Sequence, residues 1–306
     1  MKKLIIILVF NCLAVAIYGQ QDAQYTQFMF NKLAINPAYA GSQCVLCASA
    51  LYRNQWVGID GAPITQAFNV HGRFDKRNVG LGLSVVHDEI GIFNNWNVNM
   101  MYDYQLKLGK GKLNIGAQGS VNYMRARWDL SQPDQIGDYS IGGASSTKLY
   151  PNFGAGVYYH TPKFYLGLSA PSLIRHDLEF SSPQQGDEIS NKDRHFFLMG
   201  GMVLRINETI QFQPAILLKH VRNTPFDFDV NASFLFFNKL LAGVSYRFQD
   251  SVDGILQFHF SPSLKVGFAY DYTLTELQNY NSGSFEVMLE YCIHPKDEAF
   301  VNPRFF

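Results

Sequence analysis

The chain has 306 residues, and its 25 Lys and Arg balance 25 Asp and Glu, so the formal net charge is zero. No run of basic residues occurs, which argues against nucleic acid as a partner. Charged residues make up only 16% and aromatics 15%, where soluble domains carry about 25% charged residues; with no helix-length apolar run after the leader, this composition fits a transmembrane β-barrel.

Residues 1–19 read as a secretory signal. Lys2 and Lys3 supply the positive start, Leu4 to Phe10 the apolar run, and Gly19 a small residue before Gln20. The run breaks at Asn11 and falls short of the roughly 20 apolar residues that a span needs. Cys12 follows Val9-Phe10-Asn11, which lacks the small residues of a lipoprotein signal, so it leaves with the leader. Roughly 285 residues remain, enough for one large domain or two small ones, and no linker divides them. Residues 20–43 do not alternate in polarity. Phe28 to Pro37 predicts a short helix ending before Pro37, then a turn at Ala40-Gly41. So apolar a segment needs cover, so it is expected to plug the periplasmic mouth or the lumen.

From Val45 to Tyr291 a period-2 alternation recurs. In Leu113 to Tyr123 the odd positions are apolar or small, while Asn114, Gly116, Gln118, Ser120 and Asn122 are polar or glycine. Val266, Phe268, Tyr270 and Tyr272 repeat the pattern, as do Phe285, Val287, Leu289 and Tyr291. Such alternation means strands with one apolar and one wet face. Strands are predicted near 44–56, 64–75, 78–88, 94–108, 111–127, 150–160, 163–170, 194–206, 209–220, 226–237, 240–249, 252–260, 263–273 and 283–292. Connections after even-numbered strands are tiny, such as Gly109-Lys110 and Asn238-Lys239, and those after odd-numbered ones are mostly longer, the short Gln249–Ser251 excepted. Short periplasmic turns and longer external loops are the parity of an outer-membrane barrel.

The faces agree. Bulky residues such as Phe228, Val230, Phe234, Val244, Tyr246, Phe153 and Val157 alternate with Asp229, Asn231, Ser233, Ser245, Arg247 and Asn152. A soluble core would bury the second set unpaired, at about 1–3 kcal/mol per group. A hydrated lumen removes that cost, and lipid takes the bulky set. The expected fold is therefore all-β: an antiparallel up-and-down barrel of about 14 strands over residues 44–293, with residues 20–43 as a short plug-like segment and 294–306 as a periplasmic tail. Arg125, Arg127, Arg205 and Arg247 are expected to line the lumen with Asp227, Asp229 and Glu286, as internal ion pairs or as a selectivity ring.

Three cysteines survive cleavage, an odd number that makes no tidy disulfide framework. Cys44 and Cys47 form a CxxC. In an extended strand, however, positions three apart point to opposite faces roughly 10 Å apart, beyond disulfide or shared-metal reach. The second pair that a structural zinc site needs is missing from the spacing. No metal or cofactor is expected.

No G-x-S-x-G elbow, H-E-x-x-H helix or phosphate-loop spacing occurs. His87-Asp88-Glu89 reads as a solvated rim, and no catalytic residue is assigned. A barrel hydrolase assembled from distant strands stays open only as a third reading. The candidate surface is a partner-binding one. Arg53, Asn54, Gln55 and Trp56 place a cation, two amides and a large aromatic at the outer end of the first strand, a partner-binding cluster or an interfacial tryptophan with lumen-rim hydrogen bonding. Asp271 near the end of the 263–273 strand and Tyr280 and Asn281 of the last long loop divide the same way.

The mature start, from Gln21 through Asn36-Pro37-Ala38-Tyr39-Ala40-Gly41-Ser42, resembles that of PorP/SprF proteins. So do Ala50-Leu-Tyr-Arg-Asn-Gln-Trp-Val-Gly58, Gly80-Leu-Gly-Leu-Ser-Val-Val86, Pro151-Asn-Phe-Gly154, Phe197-Leu-Met-Gly-Gly201, Gly267-Phe-Ala-Tyr-Asp-Tyr-Thr-Leu274, Asn279-Tyr-Asn-Ser-Gly-Ser284 and Pro303-Arg-Phe-Phe306. The resemblance implies a non-enzymatic outer-membrane protein of the type IX secretion and gliding machinery of Bacteroidetes-type bacteria. It implies a large secreted adhesin with a type B C-terminal sorting domain as partner, exported or held at the surface, beside outer-membrane lipid and other type IX components. The alternative is a channel for a small solute with the N-terminal segment as plug.

Overall fold

The computed structural model describes residues 24–42, 44–74, 77–128, 146–178, 190–221 and 226–293. The signal segment and the tail at 294–306 lie outside the described residues. Fourteen strands form the wall: β1 (Leu46–Asn54), β2 (Ile64–Phe74), β3 (Val79–Ile90), β4 (Phe93–Leu108), β5 (Gly111–Ala126), β6 (Ser146–His160), β7 (Phe164–Ser172), β8 (His195–Met202), β9 (Ile210–Val221), β10 (Asp227–Phe236), β11 (Leu240–Arg247), β12 (Ser251–His259), β13 (Leu264–Thr273) and β14 (Ser284–Ile293). Each pairs antiparallel with the next, and β14 pairs with β1 from Leu46↔Ile293 to Asn54↔Phe285, which closes the ring. Leu204–Arg205 extends the β8 edge along β9, and a small hairpin of His176–Leu178 with Ser190–Lys192 sits between β7 and β8. Closure leaves no free sheet edge, the condition for strands in hydrocarbon.

The burial pattern is that of a soluble protein turned inside out. Val230, Phe234, Val244, Tyr246, Phe153 and Val157 are exposed on the outer wall, while Asp229, Asn231, Ser233, Ser245, Arg247 and Asn152 are buried inside. This is the face assignment that the alternation predicts. The connections keep most of the parity too: Gly109-Lys110, Phe237 to Lys239 and Phe260 to Ser263 are short at the end where β1 begins and β14 ends. At the opposite end, Gly91-Ile92 joins β3 to β4 as tightly as Phe248 to Asp250 joins β11 to β12. Arg125 corrects the expected lumen lining, since it alternates with buried Met124 and Ala126 and is exposed on the outer face; Arg205 lies opposite inward-facing Gln211 and is exposed at the end of the wall.

Residues 24–42 run inside the ring. They form no α-helix; two short 3-10 turns, Lys32–Ala34 and Pro37–Tyr39, replace the predicted one, and Pro37 opens the second turn instead of ending the first. Asn36 caps that turn, its Oδ1 accepting from Ala38 N at 2.9 Å. The turn at Ala40-Gly41 is present. The reason is local: short turns within the segment satisfy much of this backbone, and Glu286 of the wall takes the N–H groups of Thr26 and Gln27. Of the two predicted places, mouth or lumen, these residues take the lumen. Phe28, Leu33, Ala38, Tyr39 and Ala40 are buried in the main apolar cluster together with inward-facing Met101, Tyr158, Tyr165 and Met199.

The cysteines give a second correction. Cys44 precedes β1 and is not extended, so its Cα lies 6.2 Å from that of Cys47, not the separation of a straight strand. Barrel closure brings the third, Cys292, to a Cα distance of 4.1 Å from Cys47. All three thus share one buried cluster.

Candidate functional site

The inward wall grips the inner segment in two ways. On the β13–β14–β1 side the grip is ionic. Arg53 of β1 pairs with Asp271 of β13 at 2.7 Å and with Glu286 of β14 at 3.2 Å. Into this triad the segment inserts Thr26. Its Oγ1 accepts from Arg53 Nη1 and donates to the Asp271 carboxylate, each at 2.7 Å. The backbone N–H groups of Thr26 and Gln27 donate to the two oxygens of Glu286, both at 2.9 Å. Arg53, Asp271 and Glu286 are 1–2% exposed. Sequence spacing alone cannot show this triad, because 218 residues separate Arg53 from Asp271 and only closure joins them. Nearby, Arg247 pairs with Asp229 and Asp250, Lys219 with Asp227 and Asp229, and Lys265 with Glu290. Lys219 also donates to Gln24 Oε1 at 3.0 Å. The inward charges are therefore internal pairs, the first of the two expected arrangements.

On the β5–β7 side the grip is steric. A Cβ on Gly116 would lie 2.4 Å from Ala38 N, and one on Gly156 would lie 2.2 Å from Asn36 Oδ1. These glycines sit in the alternating set that reads as wet from sequence. Their role here is room for the inner segment, its backbone at Gly116 and the Asn36 side chain at Gly156, not contact with water. Asn36 Nδ2 donates to Val157 O and Ser169 Oγ to Ile35 O, which holds the segment against that wall. Lys32 sits between the halves, 3% exposed, with its Nζ over the rings of Tyr39 and Tyr165 at 5.3 and 4.6 Å. Burial lowers its pKa to about 7, against the opposing pull of Glu290.

Above the triad lies the rim. Of the seven residues expected to bind a partner, Arg53 and Asp271 belong to the triad. Asn54, Gln55, Trp56 and Asn281 are half-buried, and Tyr280 is 74% exposed, more than any other large apolar side chain among the described residues. The 55–63 loop is pinned on both sides. Gln55 N donates to Pro63 O, Val57 N to Gly283 O, Ser282 N to Val57 O, and Gly91 N to Gly61 O. Asn281 Oδ1 accepts from Gly283 N at 2.7 Å and from Thr273 Oγ1 at 3.2 Å. Trp56 holds φ at +49°, a left-handed conformation that costs a bulky residue on the order of 1–2 kcal/mol. Strain of this kind persists where surroundings over-determine it and gathers at binding sites.

Three histidines are engaged by the wall or the inner segment: His87 stacks on Trp96 and bonds Asn94, His259 bonds Gln257, and His71 bonds the Ala40 carbonyl.

The sequence profile of the family described as "Type IX secretion system membrane protein PorP/SprF" matches residues 17–291. No protein of curated function matches the chain. Among solved structures, the Ralstonia pickettii toluene transporter TbuX superposes with a TM-score of 0.52 at 10% identity, covering 86% of this chain and 92% of that one. A Pseudomonas aeruginosa FadL homologue gives 0.50 at 11% identity, covering 90% and 96%. At these identities the likeness is one of fold: a closed outer-membrane barrel. None of these matches indicates an enzyme.

Proposed function

From the chain's membership of the PorP/SprF family of type IX secretion system membrane proteins, we propose that this outer-membrane barrel is a non-enzymatic docking protein. It binds a large secreted adhesin through that adhesin's type B C-terminal sorting domain and helps to export it or hold it at the surface. The binding surface is the external rim of Asn54, Gln55, Trp56, Tyr280 and Asn281, with Arg53 and Asp271 supporting it from below. Residues 1–19 are removed on export, residues 20–43 act as the plug, and residues 294–306 remain periplasmic.

The observation that carries this reading is the pairing of a filled lumen with a pinned, strained, aromatic rim. Residues 24–42 cover the inner face, so the surface left for a partner is the rim. Aromatics beside amides on a rigid support suit a protein partner, because little side-chain entropy is lost on binding. A solute channel would need the inner segment to leave, against the ionic and steric grips together.

Purification of the native complex in mild detergent should recover a large surface protein with the barrel. The Trp56→Ala, Tyr280→Ala double variant should lower that recovery at least tenfold while the barrel itself still folds. Recovery of the wild-type barrel alone, or undiminished recovery by the double variant, would refute the rim as the docking surface.

A further inference from the structure

Three sulfurs and an imidazole meet where the first and last strands close the ring. Cys47 of β1 lies directly opposite Cys292 of β14 across the seam, and opposite His71 of β2 on its other side. Cys44 reaches the same point from the stretch leading into β1. Cys44, Cys47, Cys292 and His71 are 6%, 2%, 1% and 7% exposed. The sulfurs of Cys44 and Cys47 and a ring nitrogen of His71 all lie within 4.8 Å of one another. The Cys47 sulfur lies at bonding distance from the sulfurs of both Cys44 and Cys292, two disulfides that one sulfur cannot hold at once.

The four donors came from four places. The CxxC supplies two, closure supplies Cys292 and the β1–β2 pairing supplies His71, the second pair whose absence from the spacing argued against a metal. Sulfur valence allows Cys47 one disulfide, so covalent pairing always strands one buried thiol and the imidazole. A tetrahedral cation engages all four groups at once. His71 is oriented for it. Its Nδ1 bonds the Ala40 carbonyl at 2.8 Å, which leaves Nε2 as the ligating nitrogen. A backbone carbonyl on the other ring nitrogen is the usual support of a metal-binding histidine. The neighbouring charges, Lys265 and Glu290, neutralise each other at 2.6 Å.

We propose that Cys44, Cys47, Cys292 and His71 form a Cys3His site for a soft divalent cation, with zinc the ion that three thiolates and one imidazole suit best. Binding releases the three thiol protons and forms three metal–sulfur bonds and one metal–nitrogen bond, with no oxidant or reductant involved. The site ties three strands and the base of the inner segment together. Cys44 follows that segment directly, and Ala40 within it holds the ligand histidine. Metal binding thereby fastens the seam and the plug at one point.

The test is metal content and intact mass of the wild-type barrel, prepared with a reductant and zinc chloride and then freed of loose metal. The expected result is one zinc per chain, three free thiols after chelation, and at least a tenfold drop in zinc content for Cys292→Ser. For His71→Ala the expected loss of zinc affinity is at least about tenfold. Cobalt in place of zinc should give thiolate-to-metal charge-transfer absorption and a tetrahedral visible band in the wild type, a readout that needs no variant to fold. A reduced wild-type chain that takes up neither zinc nor cobalt would overturn the proposal. So would a chain isolated from membranes without metal and lighter by two hydrogens, since two of its three thiols would then be in a disulfide.

Discussion

The two sides of the lumen hold the same 19-residue segment by opposite means. On the β13–β14–β1 side, Arg53, Asp271 and Glu286 take hold of Thr26 and Gln27 through five directional contacts. On the β5–β7 side, Gly116 lets the backbone at Pro37 and Ala38, and Gly156 the side chain of Asn36, lie almost on the wall. Directional charge sets which residue sits where; close approach sets how tightly it sits. A segment whose own hydrogen bonds make only short turns needs both to fix where those turns sit in the lumen.

Breaking the ionic side should have the largest effect. Arg53→Ala leaves two buried carboxylates without their cation, a loss of about 3–5 kcal/mol. Urea unfolding in lipid vesicles should show it, and hydrogen exchange should rise first at Thr26 and Gln27. Gly116→Val breaks the steric side instead. Its Cβ would overlap Ala38, and overpacking of this kind costs about 1–3 kcal/mol. Exchange should then rise at residues 36–38 while Thr26 and Gln27 stay protected. If both variants loosen the whole segment alike, the two grips are one.

A smaller effect sharpens the middle ground. Lys32 titrates at about 7 in place and at 10.5 when free. Between those values the unfolded chain binds more protons than the folded one, so stability rises with pH across that window and is flat below it. Unfolding midpoints measured from pH 7 to 10 should climb in the wild type and lose most of that slope in Lys32→Met.

Much of this was legible in the residues. Alternation such as Asn114, Gly116, Gln118, Ser120 against Ile115, Ala117, Gly119, Val121 reports strand faces, since side chains in a strand point alternately. Turn lengths then report closure. What the residues could not report was what the inward set touches. Gly116 and Gly156 look like wet positions because glycine is neutral to water and to backbone alike. Arg53, Asp271 and Glu286 look like rim and lumen groups because their meeting depends on closing β14 against β1. The cysteines misled for a related reason: the chain turns at Cys44 instead of running straight into β1, and Cys292 arrives from the other end of the sequence. Charge alone suggests an inward Arg125, whereas its position between Met124 and Ala126 faces out and exposes the side chain.

The central claim is that the inner face is occupied by the chain itself and the rim is left for the partner. Photo-crosslinking in cells tests it most directly, with the reactive residue placed in turn at Tyr280 and at inward-facing Ile255. The account predicts a high-mass adduct with another protein from position 280, and from position 255 only crosslinks within the barrel chain. An intermolecular adduct from position 255 with none from position 280 would contradict it.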